Sequence, residues 1–599
     1  MDGPPADRPF GRRRRGLFPP RRSRAGRRCR RTTGTGSAGH RLLRPRVARL
    51  RRLHRRCLSG LGQGRRRRRE RALPGGPDGG ASPSRLCRGV GAGLADDRQR
   101  LRLLRCRPRP GEGATTARTP PLLDGRGRAG RGLGSGLTPP RLLAAVLAGK
   151  AAGTASRLVG QGGGTTLPGL VASRIEPRTL ALLAERLTAG SVLITGTNGK
   201  TTTSRLIASL LQGLPARVVA NRAGANLVTG HTSAVLAGAG LTGRFRADWG
   251  VFEVDEATLP SAVAELKPRA VVVGNLFRDQ LDRYGELEML ALTIERGLEA
   301  LPEGATAVLN ADDPRTAEIG YRLGERRGRL KILWYGLDDP AVAISELPHA
   351  ADARTCPRCG SRLDFRQVYV GHDGDYTCPT GDFGRPERDL SATSVQLDGL
   401  DGVRFTVGGV QVGAALGGLY NAYNLLGAFA TGTALGLKPG YMVERLGEVP
   451  AAFGRQERFL HQGRRFTLML AKNPAGFNEI LREAERLGGG RHFLLGLNDR
   501  IADGRDVSWI WDVDFELLGG DCAAETLIAT GVRAYDLALR LKYAGLKATV
   551  EVDLNRALDR LLEAVPAGAE GFILCTYTAM LDVRALLVRR GSLRPYWRT

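Results

Sequence analysis

From residue 141 onward the chain alternates short apolar runs, glycine-rich turns and amphipathic stretches, the pattern of an α/β fold in which strands and helices take turns. Leu142, Leu143, Val146 and Leu147 fall at helical spacing ahead of a glycine-rich turn at 160–164. The spacing predicts buried strands at 191–194, 249–254 and 270–273 and an apolar helix at 205–211. Beyond residue 460 it predicts strand 466–470, helix 477–487, strand 492–497, helices 523–528 and 534–544, strand 548–552, helix 554–564 and strand 571–576. These compose a second, C-terminal doubly wound α/β domain.

Residues 1–140 do not share this pattern. They hold 38 Arg, no Lys and 8 acids, so +30 of the net +32 charge of the 599-residue chain sits there and the remainder is almost neutral. Arginine runs at 12–15 and 65–69 repel one another, and apolar residues are scattered among Gly and Pro, which predicts a disordered Arg-rich N-terminal extension. A basic nucleic-acid tail mixes Lys with Arg, and a signal peptide needs a continuous apolar segment; this stretch has neither. Its composition is that of GC-rich codons read upstream of a start near residue 137, so a mis-assigned start is expected. Net charge therefore gives no argument for nucleic-acid binding. No uncharged apolar run is long enough to span a bilayer. Cys356, Cys359, Cys378, Cys522 and Cys575 do not span the body as disulfides would, so a soluble, cytoplasmic protein is expected.

The strongest chemical signal is Gly196-Thr197-Asn198-Gly199-Lys200-Thr201-Thr202, set between a predicted strand and a predicted helix. This is the setting of a phosphate-binding loop: glycines let backbone N–H groups approach the phosphates, the helix N-terminus adds its positive end, Lys200 reaches the β- and γ-phosphates, and Thr201 ligates Mg²⁺. Glu253 ends the strand that continues into Val254, Asp255 and Glu256, and is a natural second Mg²⁺ ligand. Polar motifs at 221–226, 274–285 and 308–314 also end strands, where open α/β sheets place their ligands.

Together with Asp279-Gln280-Leu281-Asp282-Arg283, Asn421-Ala422-Tyr423-Asn424 and Phe453-Gly454-Arg455-Gln456-Glu457, these motifs resemble the Mur ligase family over about residues 145–460. The resemblance implies an ATP-dependent carboxylate–amine ligase. The loop, Lys200 and Glu253 would hold MgATP, Asn421, Asn424 and Arg455 would border the nucleotide, and a substrate carboxylate would become an acyl phosphate that an amine attacks. Two departures stand out. Many Mur ligases carry a carbamylated lysine that has no counterpart here, since no Lys occurs between Lys267 and Lys331 and the aligned position is about Ile294. Only residues 141–195 precede the loop, too few for a nucleotide-sugar domain, so the acceptor is not expected to be held through UDP.

Cys356-Pro357-Arg358-Cys359-Gly360 and Tyr376-Thr377-Cys378-Pro379-Thr380-Gly381-Asp382 have the spacing of a zinc ribbon, except that Gly381 stands where the fourth Cys belongs. Cys356, Cys359 and Cys378 are candidate Zn²⁺ ligands, with Asp382 or His372 as a possible fourth. A ribbon inside a shortened Mur ligase core, with Lys472-Asn473-Pro474-Ala475-Gly476-Phe477-Asn478 and the segment 497–516, resembles the MurT-type ligase subunits of lipid II isoglutaminyl synthases. The resemblance then covers roughly 141–599. It implies an ATPase domain at 141–450 carrying the insert 351–388, a C-terminal domain at 451–599, and ATP in the cleft between them. It also implies a GatD-type glutaminase partner that supplies ammonia, and amidation of the α-carboxyl of D-glutamate in lipid II at the inner face of the membrane. An acid of the last domain would complete the partner's Cys–His pair; motif position gives Asp503, with Asp506 second.

Plainer roles compete for several of these residues. Asp503 in Ala-Asp-Gly also reads as a turn residue, Lys472 as a surface lysine, Trp509 and Trp511 as packing residues, and Asp512 and Asp514 as caps or surface charges. Cys522 and Cys575 sit in apolar surroundings as structural thiols, and without a Cys–His pair of its own the chain must take ammonia from solution or a partner. A Mur- or folylpolyglutamate-type ligase joining an amino acid is the nearest alternative. A nucleic-acid-binding NTPase using the Arg-rich tail and ribbon is a second, opposed by the lack of aromatics among the arginine runs.

Overall fold

The computed structural model describes residues 139–593 except 159–165, 222–224, 243, 280–286, 327, 329, 350, 450–455, 487–490 and 520–523. The described residues belong to one compact unit, Leu122–Thr599. The expectations for the Arg-rich extension, the turn at 160–164, Arg455 and Cys522 lie outside the described residues.

Strands β1 (Gly190–Thr195), β2 (Val218–Ala220), β3 (Trp249–Glu253), β4 (Ala270–Val273), β5 (Thr306–Asn310) and β6 (Lys331–Leu337) form a parallel array in the order β6-β5-β4-β1-β3-β2. A separate antiparallel hairpin follows, β7 (Asp364–Val370) with β8 (Asp373–Thr377). β9 (Leu390–Leu397) then joins the large sheet parallel to β6, and β10 (Val403–Val407) and β11 (Val410–Ala414) close it antiparallel. Successive residues of a strand face opposite sides of the sheet. Accordingly Val192, Ile194, Ala270 and Val272 pack with the helices Lys200–Gln212 and Leu419–Ala434, while Leu193, Val271 and Val273 pack with Leu142, Val146, Leu259 and Ile294 on the other face. Helices on both faces bury every residue of β3, β4 and β5 and all of β1 but Gly190, which is why these strands read as unbroken apolar runs. The chain runs from β1 to one side of the sheet and later returns to the other, so the β1 terminus lies at the switch point where such sheets bind ligands.

The second sheet has the order β12-β13-β17-β14-β15-β16, with β12 (Glu457–His461), β13 (Arg464–Leu470), β14 (Arg491–Gly496), β15 (Ala524–Thr530), β16 (Thr549–Val550) and β17 (Glu570–Cys575). All its pairings are parallel except β12 with β13. The predicted strands and helices of this region appear within a few residues, with one exception. Residues 523–528 are not a helix: Ala524–Thr530 is β15, between β14 and β16. A short apolar run fits either periodicity, and burial on both faces decides it, Leu527 and Ala529 entering one core and Ile528 the other. Among the described residues no helix is long and apolar enough to cross a membrane.

Candidate active site

The loop after β1 turns through Gly196 (φ +121°) and Gly199 (φ +87°) into the helix Lys200–Gln212. A side chain at 199 is excluded twice over, since the left-handed backbone disfavours it and a Cβ would lie 2.0 Å from Asn424 Oδ1. Asn424 in turn accepts from Thr203 Oγ1 (3.2 Å) and donates to Asn421 Oδ1 (2.9 Å), so the Asn-Ala-Tyr-Asn motif lies against the loop. The stretch after β4 holds the loop's other side. Asn198 N–H donates to Asn275 Oδ1 (2.9 Å), and Thr197 N–H donates to Asn275 O (2.7 Å).

Thr201 Oγ1 donates to Glu253 Oε2 at 2.8 Å, both side chains buried, which places a hydroxyl and a carboxylate together beside the loop as a pair of Mg²⁺ ligands requires. Asn221 clasps the Glu253 backbone from both sides, Oδ1 accepting from its N–H (2.9 Å) and Nδ2 donating to its carbonyl (2.8 Å). Lys200 Nζ lies beneath the loop, donating to Gly196 O (2.6 Å) and pairing with Glu256 Oε1 (2.7 Å). Burial opposes its charge, but Glu256 and Glu253 outweigh burial and hold the ammonium above the ordinary lysine value. Burial pushes the Glu256 carboxyl up against the pull of Lys200. Sequence reasoning named Glu256 without giving it a role. Ile294, near which the resemblance would align the lysine, is fully buried in the apolar core.

A cavity opens between the two sheets. Asn198, Gly199, Thr202, Asn275, Phe277, Asn421 and Asn424 line it from the core side, and Met469, Lys472, Asn473, Gly476 and Glu479 from the C-terminal side. Two contacts join the walls: Asn473 Nδ2 donates to Asn198 Oδ1 (3.0 Å), and Lys472 forms an ion pair with Asp279. Lys472 is therefore not a bare surface lysine. Arg278 makes a third link, to Asp512 (3.1 Å).

In the insert, Cys356, Cys359, Cys378 and Asp382 bring one ligand atom each within 4.8 Å of one another, a set that could hold a metal ion. Thr380 Oγ1 donates to Asp382 Oδ1 (2.7 Å) and lies 2.9 Å from Cys378 Sγ, which draws the acid toward the thiols. His372 is not the fourth member. It lies in the turn at the far end of the hairpin, with Nε2 3.4 Å from Asp313 Oδ2.

The carboxyl edge of the second sheet carries the remaining candidates, Asp503 and Asp506 among them. The Asp503 carboxylate is buried and caps the helix Tyr577–Arg589, accepting from Thr578 N–H (2.7 Å) and from the Thr578 hydroxyl. Asp506 is exposed, and a hydrogen bond from Ser508 N–H (2.8 Å) keeps its carboxyl below the usual range. Trp509 is half-buried against Phe477, Trp511 is exposed beside Tyr543, and Asp514 pairs with Asn478 and Arg482. Cys575 is fully buried, which pushes its thiol up to about 12, as expected of a structural cysteine.

The Mur ligase middle domain family matches residues 194–365, and the MurT ligase C-terminal family matches residues 470–580. The chain is 34% identical over 421 residues to the lipid II isoglutaminyl synthase (glutamine-hydrolyzing) subunit MurT of Staphylococcus aureus (strain N315), covering 70% of this chain and 92% of that protein. It is 33% identical to the subunit of the same name from Streptococcus pneumoniae (strain ATCC BAA-255 / R6), covering 72% and 94%. Among solved structures, a pseudomurein peptide ligase type C from Methanothermus fervidus aligns with TM-score 0.51 at 20% identity, over 68% of this chain and 80% of that one. MurF from Acinetobacter baumannii aligns with TM-score 0.50 at 18% identity, over 68% and 79%. At such identities these two show the shared fold alone. Motifs, cleft and relatives agree that the chain belongs to the MurT family of Mur ligase-type, ATP-dependent carbon–nitrogen ligases.

Proposed function

We propose that this chain is the ATP-consuming subunit of an amidotransferase that converts the α-carboxyl of D-glutamate in the lipid II stem to D-isoglutamine. The carrying observation is the cavity whose walls, a phosphate loop on one side and Lys472-Asn473 on the other, are joined by Asn198–Asn473 and Asp279–Lys472. A carboxylate is a poor acyl donor. In the proposed reaction its oxygen attacks the γ-phosphorus, ADP leaves, ammonia attacks the acyl carbon, and phosphate departs as nitrogen loses a proton. Lys200 would exchange Glu256 for a phosphate oxygen, keeping its charge matched throughout. Thr201 and Glu253 would hold Mg²⁺, which when bound neutralises developing phosphate charge. Cys356, Cys359, Cys378 and Asp382 fit a structural Zn²⁺, with a carboxylate in the fourth place.

Ammonia would come from a glutaminase subunit. Among the described residues the free cysteines are the three ribbon thiols and buried Cys575, and none hydrogen-bonds a histidine. A docking surface lies where Asp506 is exposed. The helix Ala534–Tyr543 and the residue Val532 ahead of it present Val532, Tyr535, Leu539 and Tyr543 to solvent, each 48–73% exposed. The loop carrying Asp506 is fixed at both ends to this helix, through Asp499–Arg533 (2.9 Å) and Trp511–Tyr543 (5.4 Å between ring centroids). Asp506, rather than Asp503, is therefore the acid assigned to the partner's Cys–His pair. β13 and β14 are separated by β17 alone, so the segments leading to Lys472 and to the Asp506 loop leave the sheet about 10 Å apart at the same edge.

Product analysis tests the reading. With ATP, lipid II and ammonium the chain should form an amide, and with free amino acids in place of ammonium it should form no peptide. Peptide formation without amidation would transfer the chain to the amino-acid-joining ligases.

A further inference from the structure

The insert is built into the back of the cavity. Cys378 directly follows β8 at one end of the hairpin, and the turn Val370-Gly371-His372-Asp373 lies at the other, about 16 Å along the strand. Val370 lines the cavity. Gly371 (φ +60°) packs so closely on Phe277 that a Cβ would lie 2.6 Å from its ring. The fully buried His372 ring lies 4.5 Å from Phe277, centroid to centroid.

The hydrogen bonds of His372 define its tautomer. Nδ1 accepts from Asp352 N–H (3.3 Å), so Nε2 carries the hydrogen and donates to Asp313 Oδ2. That same oxygen accepts from Leu276 N–H at 2.6 Å, while Asp313 Oδ1 accepts from Arg315 and Thr316 N–H (2.8 and 2.9 Å). Phe277, the next residue, exchanges both backbone groups with the Thr197 hydroxyl, N–H donating to it and carbonyl accepting from it, each at 3.0 Å. Asp313, His372 and Asp373 have the composition of a cation site, but the Nδ1 lone pair is engaged and Asp313 already accepts four donors. The cluster is a hydrogen-bonded anchor.

We infer that His372 is a positioning residue for the phosphate loop: through Asp313 it orients Leu276 and Phe277, and these hold Thr197. The stretch after β4 has no regular secondary structure of its own, so this clamp fixes its direction. The inference rests on the reading of 196–202 as the nucleotide's phosphate cradle.

Calorimetric titration of the full chain with Mg·AMPPNP tests it, alongside steady-state kinetics with ammonium as donor. His372→Phe keeps a ring against Phe277 but loses both hydrogen bonds, whereas His372→Gln keeps an amide donor toward Asp313. His372→Phe is expected to weaken Mg·AMPPNP about tenfold and raise KM for ATP in step, with kcat within about threefold, while His372→Gln recovers most of the affinity. His372→Leu, which fills the site with an apolar side chain and offers Asp313 no donor, keeps the test open should His372→Phe not fold; the same loss is expected. Affinity within about twofold of wild type in the folded variants, or a fall in kcat at unchanged KM, would overturn the assignment. Failure of the underlying reading is separate: the wild-type chain would then not bind Mg·AMPPNP.

Discussion

Lys200 and Glu256 form a buried ion pair, Nζ to Oε1 2.7 Å, with 10% and 7% of their side chains exposed. An ammonium buried beside a phosphate loop needs a counter-charge before nucleotide arrives, and Glu256 supplies it. On the proposed reading, nucleotide binding would be an exchange of anions around a fixed cation.

Lys200→Ala should abolish ATP-dependent amidation, by at least about a hundredfold, because the side chain acts on phosphate charge. Circular dichroism should show an intact fold. Turnover within a few-fold of wild type would remove Lys200 from the phosphate site.

Glu256→Gln should destabilise the nucleotide-free protein by about 3 kcal/mol, since it leaves a buried ammonium without its anion. The thermal shift produced by Mg·AMPPNP should be larger than in wild type, because phosphate restores the counter-charge. Equal shifts in both proteins would mean that Lys200 does not turn to the nucleotide.

The two acids of the Asp506 loop should separate by assay. Asp506→Asn should impair glutamine-driven activity and spare ammonium-driven activity. Asp503→Asn should cost about 1 kcal/mol or more of stability through its helix cap and lower both activities together. The reverse pattern would return the partner role to Asp503.

Much of this was legible in the sequence. The loop at 196–202, Glu253 and the Asn421/Asn424 pair are local motifs whose neighbours in the chain fix their geometry. Asp503 and Asp506 were harder to rank, because the difference between them is Thr578, 75 residues away, which buries one carboxylate and leaves the other exposed. His372 and Asp382 were equivalent as fourth ligands in sequence; hairpin pairing sends one to the core and brings the other to the thiols. Strand β15 was lost because a short apolar run carries no period of its own.

Cys359 is pulled down to about 6 by hydrogen bonds with Ser361, whereas burial holds Cys575 at about 12. At pH 7.5 iodoacetamide should therefore modify Cys359 rapidly and leave Cys575 untouched in the folded protein. The Cys359 rate should fall as pH drops below about 6, because the thiolate is the nucleophile. Added Zn²⁺ should protect Cys359, read by peptide mass spectrometry. Labelling unaffected by zinc would show that the Cys356-Cys359-Cys378-Asp382 set does not close on the metal.

Tyr535→Glu with Tyr543→Glu should weaken association with the glutaminase subunit at least tenfold, since buried aromatics at such surfaces carry much of the binding energy. Ammonium-driven turnover should be unchanged. Unaltered association would place the partner elsewhere.

The most direct measurement of the central claim is amidation of lipid II by the purified chain under three conditions: with ammonium, with glutamine, and with glutamine plus a glutaminase subunit. The account predicts turnover in the first, none in the second and strong recovery in the third, because the chain activates the carboxylate but cannot release ammonia. Glutamine-driven amidation by the chain alone would contradict it, as would failure of ammonium to support any ATP-dependent amide formation.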